Sequence, residues 1–191
     1  MNTREPLINT FLEKNTQINL SAIRDVEGVF IKHIQDSLEI NKVIQFPKWT
    51  KIADIWTGGG FPLMPLAITN PQATFTGIDS IKKKTIAVNE MLTSLQVSNV
   101  TVEWSRIEEY KSQTFDIVTA RAVAYIDKLV PRAYHLLKKW WKFILMKQQL
   151  PEEKEILLDI CKKKKLKLIF EHIYSLFEGD IQRVIYVIEK Q

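Results

Sequence analysis

The segment Asp54-Ile55-Trp56-Thr57-Gly58-Gly59-Gly60-Phe61-Pro62 constrains this chain most, because it joins a short apolar strand to a helix through a glycine turn. Lys51 to Trp56 is apolar and partly β-branched, the pattern of a buried parallel strand. Pro62 suits a first helical turn, and Leu63, Leu66 and Ile68 continue the helix. Glycines at such a junction let backbone N–H groups approach a ligand, with the helix N-terminus behind them. A second strand, Ala73 to Ile78, ends in Asp79 about twenty residues past the glycines, where a carboxylate can accept both hydroxyls of a nucleoside ribose. A glycine turn alone also occurs where only a positive φ is needed. The acid at the next strand tip, which has no packing role in this reading, favours an adenosine-containing cofactor. No Lys-Ser or Lys-Thr follows the last glycine, which argues against a triphosphate loop.

From Lys51 onward strands and helices alternate, which predicts a parallel sheet covered on both faces. Strands are expected at Val100 to Trp104, Phe115 to Ala120 and Lys142 to Met146. Helices are expected over 81–95, at Ile126 to Lys138 with a kink near Pro131, and at Glu152 to Lys163 after Pro151. Leu166 to Tyr174 and Arg183 to Glu189 are joined by the short Glu178-Gly179-Asp180 turn, too close for a helical crossover, so they form an antiparallel pair. A mostly parallel sheet ending in an antiparallel hairpin is a Rossmann-like α/β arrangement that resembles the class I, S-adenosylmethionine-dependent methyltransferases. Ahead of it, Leu7, Ile8, Phe11 and Leu12 mark one helix. Val26, Phe30, Ile34 and Leu38 mark a second, with Ser21 or Asp25 as its N-cap. One domain over residues 1–191 is expected, with 1–48 as an N-terminal helical extension packed on it.

A net charge of +5 and a pI near 9.2 suit a polyanionic partner. The single cysteine, Cys161, excludes an internal disulfide and reads as a packed side chain. The polar start, Met1 to Pro6, does not read as a signal peptide, and no apolar run reaches membrane-spanning length. A cytoplasmic monomer without a metal site is expected. Lys82-Lys83-Lys84 opens a helix, where cations oppose the dipole, so a phosphate role competes evenly with a solvated surface. Lys162 to Lys165 ends a helix, where positive charge is favourable in any case. Lys138, Lys139 and Lys142 flank Trp140 and Trp141, a mixture suited to stacking on nucleotides, although either indole could belong to the core. Trp49 and Trp104 are expected to pack, and His135 and His172, lacking matching partners, to be structural. His33 and Asp36 share a helical face near Arg24, as a network fixing the N-terminal segment or as a substrate contact.

Several strings follow in order: Asn19-Leu20-Ser21-Ala22-Ile23-Arg24-Asp25, His33-Ile34-Gln35-Asp36-Ser37, Thr57 to Pro62, Ile78-Asp79-Ser80, Lys82-Lys83-Lys84, Ser105-Arg106-Ile107-Glu108-Glu109 and Thr119-Ala120-Arg121-Ala122. Together they resemble the bacterial small-subunit ribosomal RNA guanine-N7 methyltransferases, once called glucose-inhibited division protein B, over about residues 15–190. The resemblance implies methyl transfer from S-adenosyl-L-methionine to N7 of a guanine in the decoding-region hairpin loop of 16S ribosomal RNA, with that RNA or the small ribosomal subunit as partner. It implies that Trp56, Thr57, Gly58, Gly60 and Phe61 form the cofactor turn and that Asp79 and Ser80 bind the ribose. Ile107 and Glu108 would lie at the adenine, Ile107 as an apolar wall. Arg121 would stand beside the reacting centre and the cofactor, and Lys147 at the same rim as a catalytic or RNA-binding cation. Arg24, His33, Asp36, Lys82 and Lys83 would face the RNA.

The chain departs from the family in several places. Trp56 stands where the family has glycine, and Lys138 to Lys142 replaces a proline-glycine-glycine turn. Gln148 replaces a glycine, and the N-terminal helical region is shorter. Two other readings compete: a catalytically silent RNA-binding or ribosome-assembly protein of the same fold, and a nicotinamide dehydrogenase, against which the terminal hairpin and the Ser105 to Glu109 string argue.

Overall fold

The computed structural model describes residues 4–121, 125–179 and 181–191. Met1 to Thr3, Ala122 of the Thr119 string and Asp180 of the hairpin turn lie outside the described residues, as do the side chains of Lys139 and Glu178. Seven strands form one sheet in the order β3-β2-β1-β4-β5-β7-β6. They are β1 (Lys51–Ile55), β2 (Thr74–Asp79), β3 (Val100–Trp104), β4 (Phe115–Arg121), β5 (Leu137–Gln148), β6 (Leu166–Leu176) and β7 (Ile181–Lys190). The first five run parallel, while β7 lies antiparallel between β5 and β6. The order reverses at β1, so the carboxyl ends of β1 and β4 flank the crevice where such sheets bind ligands.

Successive side chains of each strand enter different cores, as the two-residue period dictates. Ile52, Ile117, Ile144, Ile185 and Val187 join a cluster with Leu7, Phe11, Leu63, Leu66 and Met91. Ala53, Val118, Phe143, Leu145, Val184 and Tyr186 join a second with Leu129, Val130, Leu157 and Ile160. The first core lies under α1 (Arg4–Gln17), α5 (Leu63–Thr69) and α6 (Lys82–Ser94), the second under α7 (Ile126–Ala133) and α8 (Pro151–Lys164). Helix α8 has Pro151 and two glutamates in its first turn and three lysines in its last, both favourable to the dipole.

The second N-terminal helix is not uniform. It runs from α2 (Val26–Val29) through a π-helical stretch, Phe30–Gln35, into α3 (Asp36–Leu38) and α4 (Ile40–Val43). Asp25 is its cap, accepting from the Gly28 N–H at 2.6 Å. Pro62 occupies the position before α5 rather than its first turn. The expected helix Ile126 to Lys138 stops at Ala133, and β5 begins at Leu137, five residues before Lys142. Four residues of β5, Lys138 to Trp141, stand opposite the lone Asp116 of β4, between the pairs Phe115–Leu137 and Ile117–Lys142. The register shift makes this a bulge. It lies at the amino end of the strands, across the sheet from the glycine segment.

Candidate functional site

At the carboxyl end of β1, Asp54 organises the turn. Its carboxylate is buried and accepts the Thr57 hydroxyl at 2.6 Å and the Thr119 hydroxyl of β4 at 2.9 Å. Burial pushes its pKa up to about 6 against those two hydrogen bonds. The turn closes through Gly60 N–H to Thr57 O at 2.8 Å, and α5 starts from Met64 N–H to Gly60 O at 2.8 Å. Gly58 and Gly60 have φ of +56° and +87°, which only glycine adopts without strain. Their surroundings differ. A Cβ at Gly60 would come within 2.8 Å of Met64 Cε, so that glycine serves packing. A Cβ at Gly58 would meet nothing nearer than Trp56 O at 3.7 Å, so its backbone faces open space that a ligand can enter.

Asp79 sits beside Gly58, and its expected lack of a packing role is overturned. Only 5% exposed, it accepts the Gly58 N–H at 2.9 Å and the Ile81 N–H at 2.8 Å, tying the turn to the start of α6. Each carboxylate oxygen still has a second acceptor site, so ribose hydroxyls remain compatible with this geometry. Ser80 next to it is exposed, and its carbonyl accepts the Trp104 indole N–H at 3.0 Å. Trp104 is 59% exposed at the tip of β3 with the Lys82 ammonium 5.0 Å from its ring centre, and Trp49 is 83% exposed. Both were expected to pack. Trp104 is the last residue of β3 and Trp49 sits in the turn before β1, so neither lies along the length of a strand that the helices cover. Ile107 is buried in the second core, and Glu108 pairs with Arg132 at 3.2 Å on the surface. Trp56 has a φ of +53°, and its half-buried indole packs against the same core that contains Ile107.

Arg121, at the end of β4, binds the N-terminal segment. Its guanidinium donates to Lys32 O at 2.7 Å and to Asp36 Oδ2 at 3.1 Å, and it reaches His33 Nδ1 at 3.0 Å. Arginine only donates, so His33 Nδ1 must accept, leaving Nε2–H to donate to Ser21 Oγ at 2.9 Å. Ser21, a candidate helix cap by sequence, is therefore the histidine's partner. Burial first, then Arg121, lowers His33 to about 4, so the ring is neutral at neutral pH. Its ring stacks on Phe61 at 4.6 Å, joining this cluster to the glycine turn. Asp36 also accepts Tyr174 OH at 2.5 Å and Arg183 Nη2 at 3.3 Å. Sequence reasoning missed Arg183, Tyr174 and Asp54. The available signal for Arg183 was a lone cation inside the apolar run Ile181 to Ile188.

The remaining candidates do not converge. Lys147 turns inward rather than toward a ligand at the rim, pairing with Glu153 Oε1 at 2.9 Å with both side chains buried. The sequence could not show that the first turn of α8 returns a carboxylate over β5. Arg24 is exposed and donates to Asn19 at 2.8 Å, apart from Asp36. Lys82 and Lys83 are exposed at the start of α6. Lys138 pairs with Asp116 at 2.6 Å, at the sheet edge opposite the turn. His172 does have a partner, Glu39, at 3.1 Å.

Comparison with known proteins agrees with the fold. A solved S-adenosylmethionine-dependent methyltransferase from Aquifex aeolicus superposes with a TM-score of 0.65 at 15% identity, over 84% of this chain and 92% of its own. That likeness shows the fold alone. A ribosomal RNA small subunit methyltransferase G from Actinobacillus pleuropneumoniae serotype 5b is 39% identical over 133 residues, 70% of this chain and 63% of the relative. A protein of the same name from Lysinibacillus sphaericus is 31% identical over 189 residues, 94% of this chain and 78% of the relative. The match thus spans less than two thirds of the length of the Actinobacillus relative. The family pattern described as rRNA small subunit methyltransferase G extends over residues 2–182, and the chain belongs to that family.

Proposed function

We propose that this protein transfers a methyl group from S-adenosyl-L-methionine to N7 of a guanine in 16S ribosomal RNA, the target lying in the decoding-region hairpin loop. The observation behind this reading is the open face of Gly58, hydrogen-bonded to the strand-tip carboxylate Asp79 in a chain of this family. The donor would lie along Trp56 to Phe61, with its ribose on Asp79 and Ser80 and its adenine toward Ile107 and Glu108. When bound, it supplies an electrophilic methyl on a sulfonium.

Guanine N7 is an in-plane lone pair without a proton, so the displacement needs no general base. The residues then act by alignment, which can supply roughly 7–11 kcal/mol in favourable cases. N7 faces the major groove, too deep and narrow in A-form RNA for side chains, so the target base must be unpaired or swung out. Positive charge moves onto the base, and Arg121, itself cationic, does not stabilise it. Its role in this reading is to position the N-terminal segment against the rim. The protein would work as a cytoplasmic monomer, one domain with residues 1–48 packed on it. No helix among the described residues is long and apolar enough to cross a membrane.

Incubation with small-subunit RNA and a labelled methyl donor, followed by mapping of the modified base, tests this. Label at a single guanine, lost when its N7 is replaced by carbon, is the expected result. Cofactor binding by calorimetry without label transfer would favour an RNA-binding protein that has lost catalysis.

A further inference from the structure

Between the π-helical stretch and the terminal hairpin lies a cavity of about 190 Å³ lined by Lys32, His33, Asp36, Arg121 and Arg183, with Leu176 and Ile181 on its apolar side. Its charges do not balance. Two guanidiniums and one ammonium face one carboxylate, and that carboxylate already accepts from Arg121, Arg183 and Tyr174. His33 accepts from Arg121 and contributes no charge. Arg183 Nη2 holds Asp36 and its side chain also faces the Tyr174 hydroxyl, while its Nε is buried without a hydrogen-bond partner among the described residues. A buried donor on a charged group is costly to leave unmet, and a guanidinium fork matches the oxygens of a phosphate.

The position suits a nucleic-acid strand. Arg121 ends β4, and Arg183 lies opposite Gln148 at the carboxyl end of β5, on the rim that bears the glycine turn. The Arg121 guanidinium lies 5.6 Å from the Phe61 ring centre, so the cavity adjoins the turn without being lined by it. Lys32 is exposed at the mouth, 4.9 Å from the Phe177 ring centre.

We infer that this cavity seats a phosphodiester of the RNA strand beside the target base, gripped by Arg183 and Arg121, with Lys32 guiding it at the mouth. The inference rests on the proposed function and adds the anchor that holds the backbone while a base is extruded. It assigns a ligand-binding role to Arg183 and Lys32.

The test measures binding of a fluorescent small-subunit RNA hairpin across a potassium chloride series, for wild type, Arg183→Gln, Arg183→Lys and Lys32→Gln. Loss of one phosphate contact should flatten the plot of log affinity against log salt by roughly 0.7–0.9. Arg183→Gln and Lys32→Gln should each show that flattening, Arg183→Lys should keep most of the slope, and S-adenosyl-L-methionine affinity by calorimetry should stay within about twofold. A wild-type slope in a folded Arg183→Gln protein overturns the inference. So does a fall in cofactor affinity with the slope intact, which would give the cavity to the cofactor's carboxylate. If Arg183→Gln does not fold, exposed Lys32 decides: an unchanged slope in Lys32→Gln overturns the seat. Failure of the proposed function looks different, because the wild-type protein would then transfer no label to the RNA.

Discussion

Arg121 and Asp36, 85 residues apart in sequence, meet at 3.1 Å with side chains 11% and 2% exposed, and so fasten the N-terminal segment to the end of β4. Removing one partner of such a pair leaves a buried charge partly uncompensated. Arg121→Ala should lower unfolding free energy by about 3 kcal/mol, somewhat cushioned because Arg183 and Tyr174 still face Asp36. Methyl transfer should fall as well. A double-mutant cycle with Asp36→Asn in urea denaturation should give a coupling of roughly 1–3 kcal/mol. Additive losses would mean that the contact does no coupled work.

Asp79 has two duties in this reading, and they separate experimentally. Asp79→Ala removes the acceptor for the Gly58 and Ile81 amides, so stability should drop by roughly 1–3 kcal/mol. It also removes the ribose acceptor, so S-adenosyl-L-methionine affinity, measured below the variant's melting point, should fall about tenfold or more. Affinity equal to wild type would leave Asp79 with the structural duty alone.

Two buried groups titrate with opposite consequences over the same pH range. Asp54 is raised to about 6, so the folded protein holds its proton more tightly than the unfolded chain does. Its contribution is complete below about pH 4 and is lost as pH rises through 6. His33 is lowered to about 4, so its contribution is complete above about pH 6.5 and is lost as pH falls through 4. Each is worth roughly 3 kcal/mol, and in the wild-type protein they largely cancel. Asp54→Asn should therefore become more stable from pH 4 to 6.5, and His33→Asn less stable over the same interval. Urea titrations at four pH values would show it, and parallel profiles for the two variants would refute it.

How much of this was legible follows from the range of the interactions involved. The β1 turn, the Asp79 strand tip and the β6–β7 hairpin depend on local pattern, and the strand at Val100 to Trp104 appears with the expected ends. The cluster on Asp36 depends on residues 85, 138 and 147 positions away, which no local spacing encodes. The inward turn of Lys147 was hidden for a related reason, since a lysine at a strand end reads alike whether or not the next helix returns a glutamate to it. Burial of Trp104 and Trp49 was misjudged because hydrophobicity says nothing about whether the covering layer extends to a strand's tip or to the turn before a strand.

Trp56 and Trp140 occupy the left-handed backbone region, with φ of +53° and +69°. A bulky residue is rarely found there, because its Cβ crowds the carbonyl oxygen. At Trp56 the strain is offset by the indole packing against the second core. Trp56→Gly should relieve the strain while losing that contact, leaving stability within about 1 kcal/mol of wild type. Trp56→Ala loses the contact and keeps most of the strain, so it should be about 1 kcal/mol less stable than the glycine variant. Melting curves of the three proteins decide this, and an alanine variant as stable as the glycine one would remove the argument from strain. Because the indole packs on the core, neither variant should gain cofactor affinity. A gain of about tenfold in Trp56→Gly would show instead that the side chain obstructs the methyl donor.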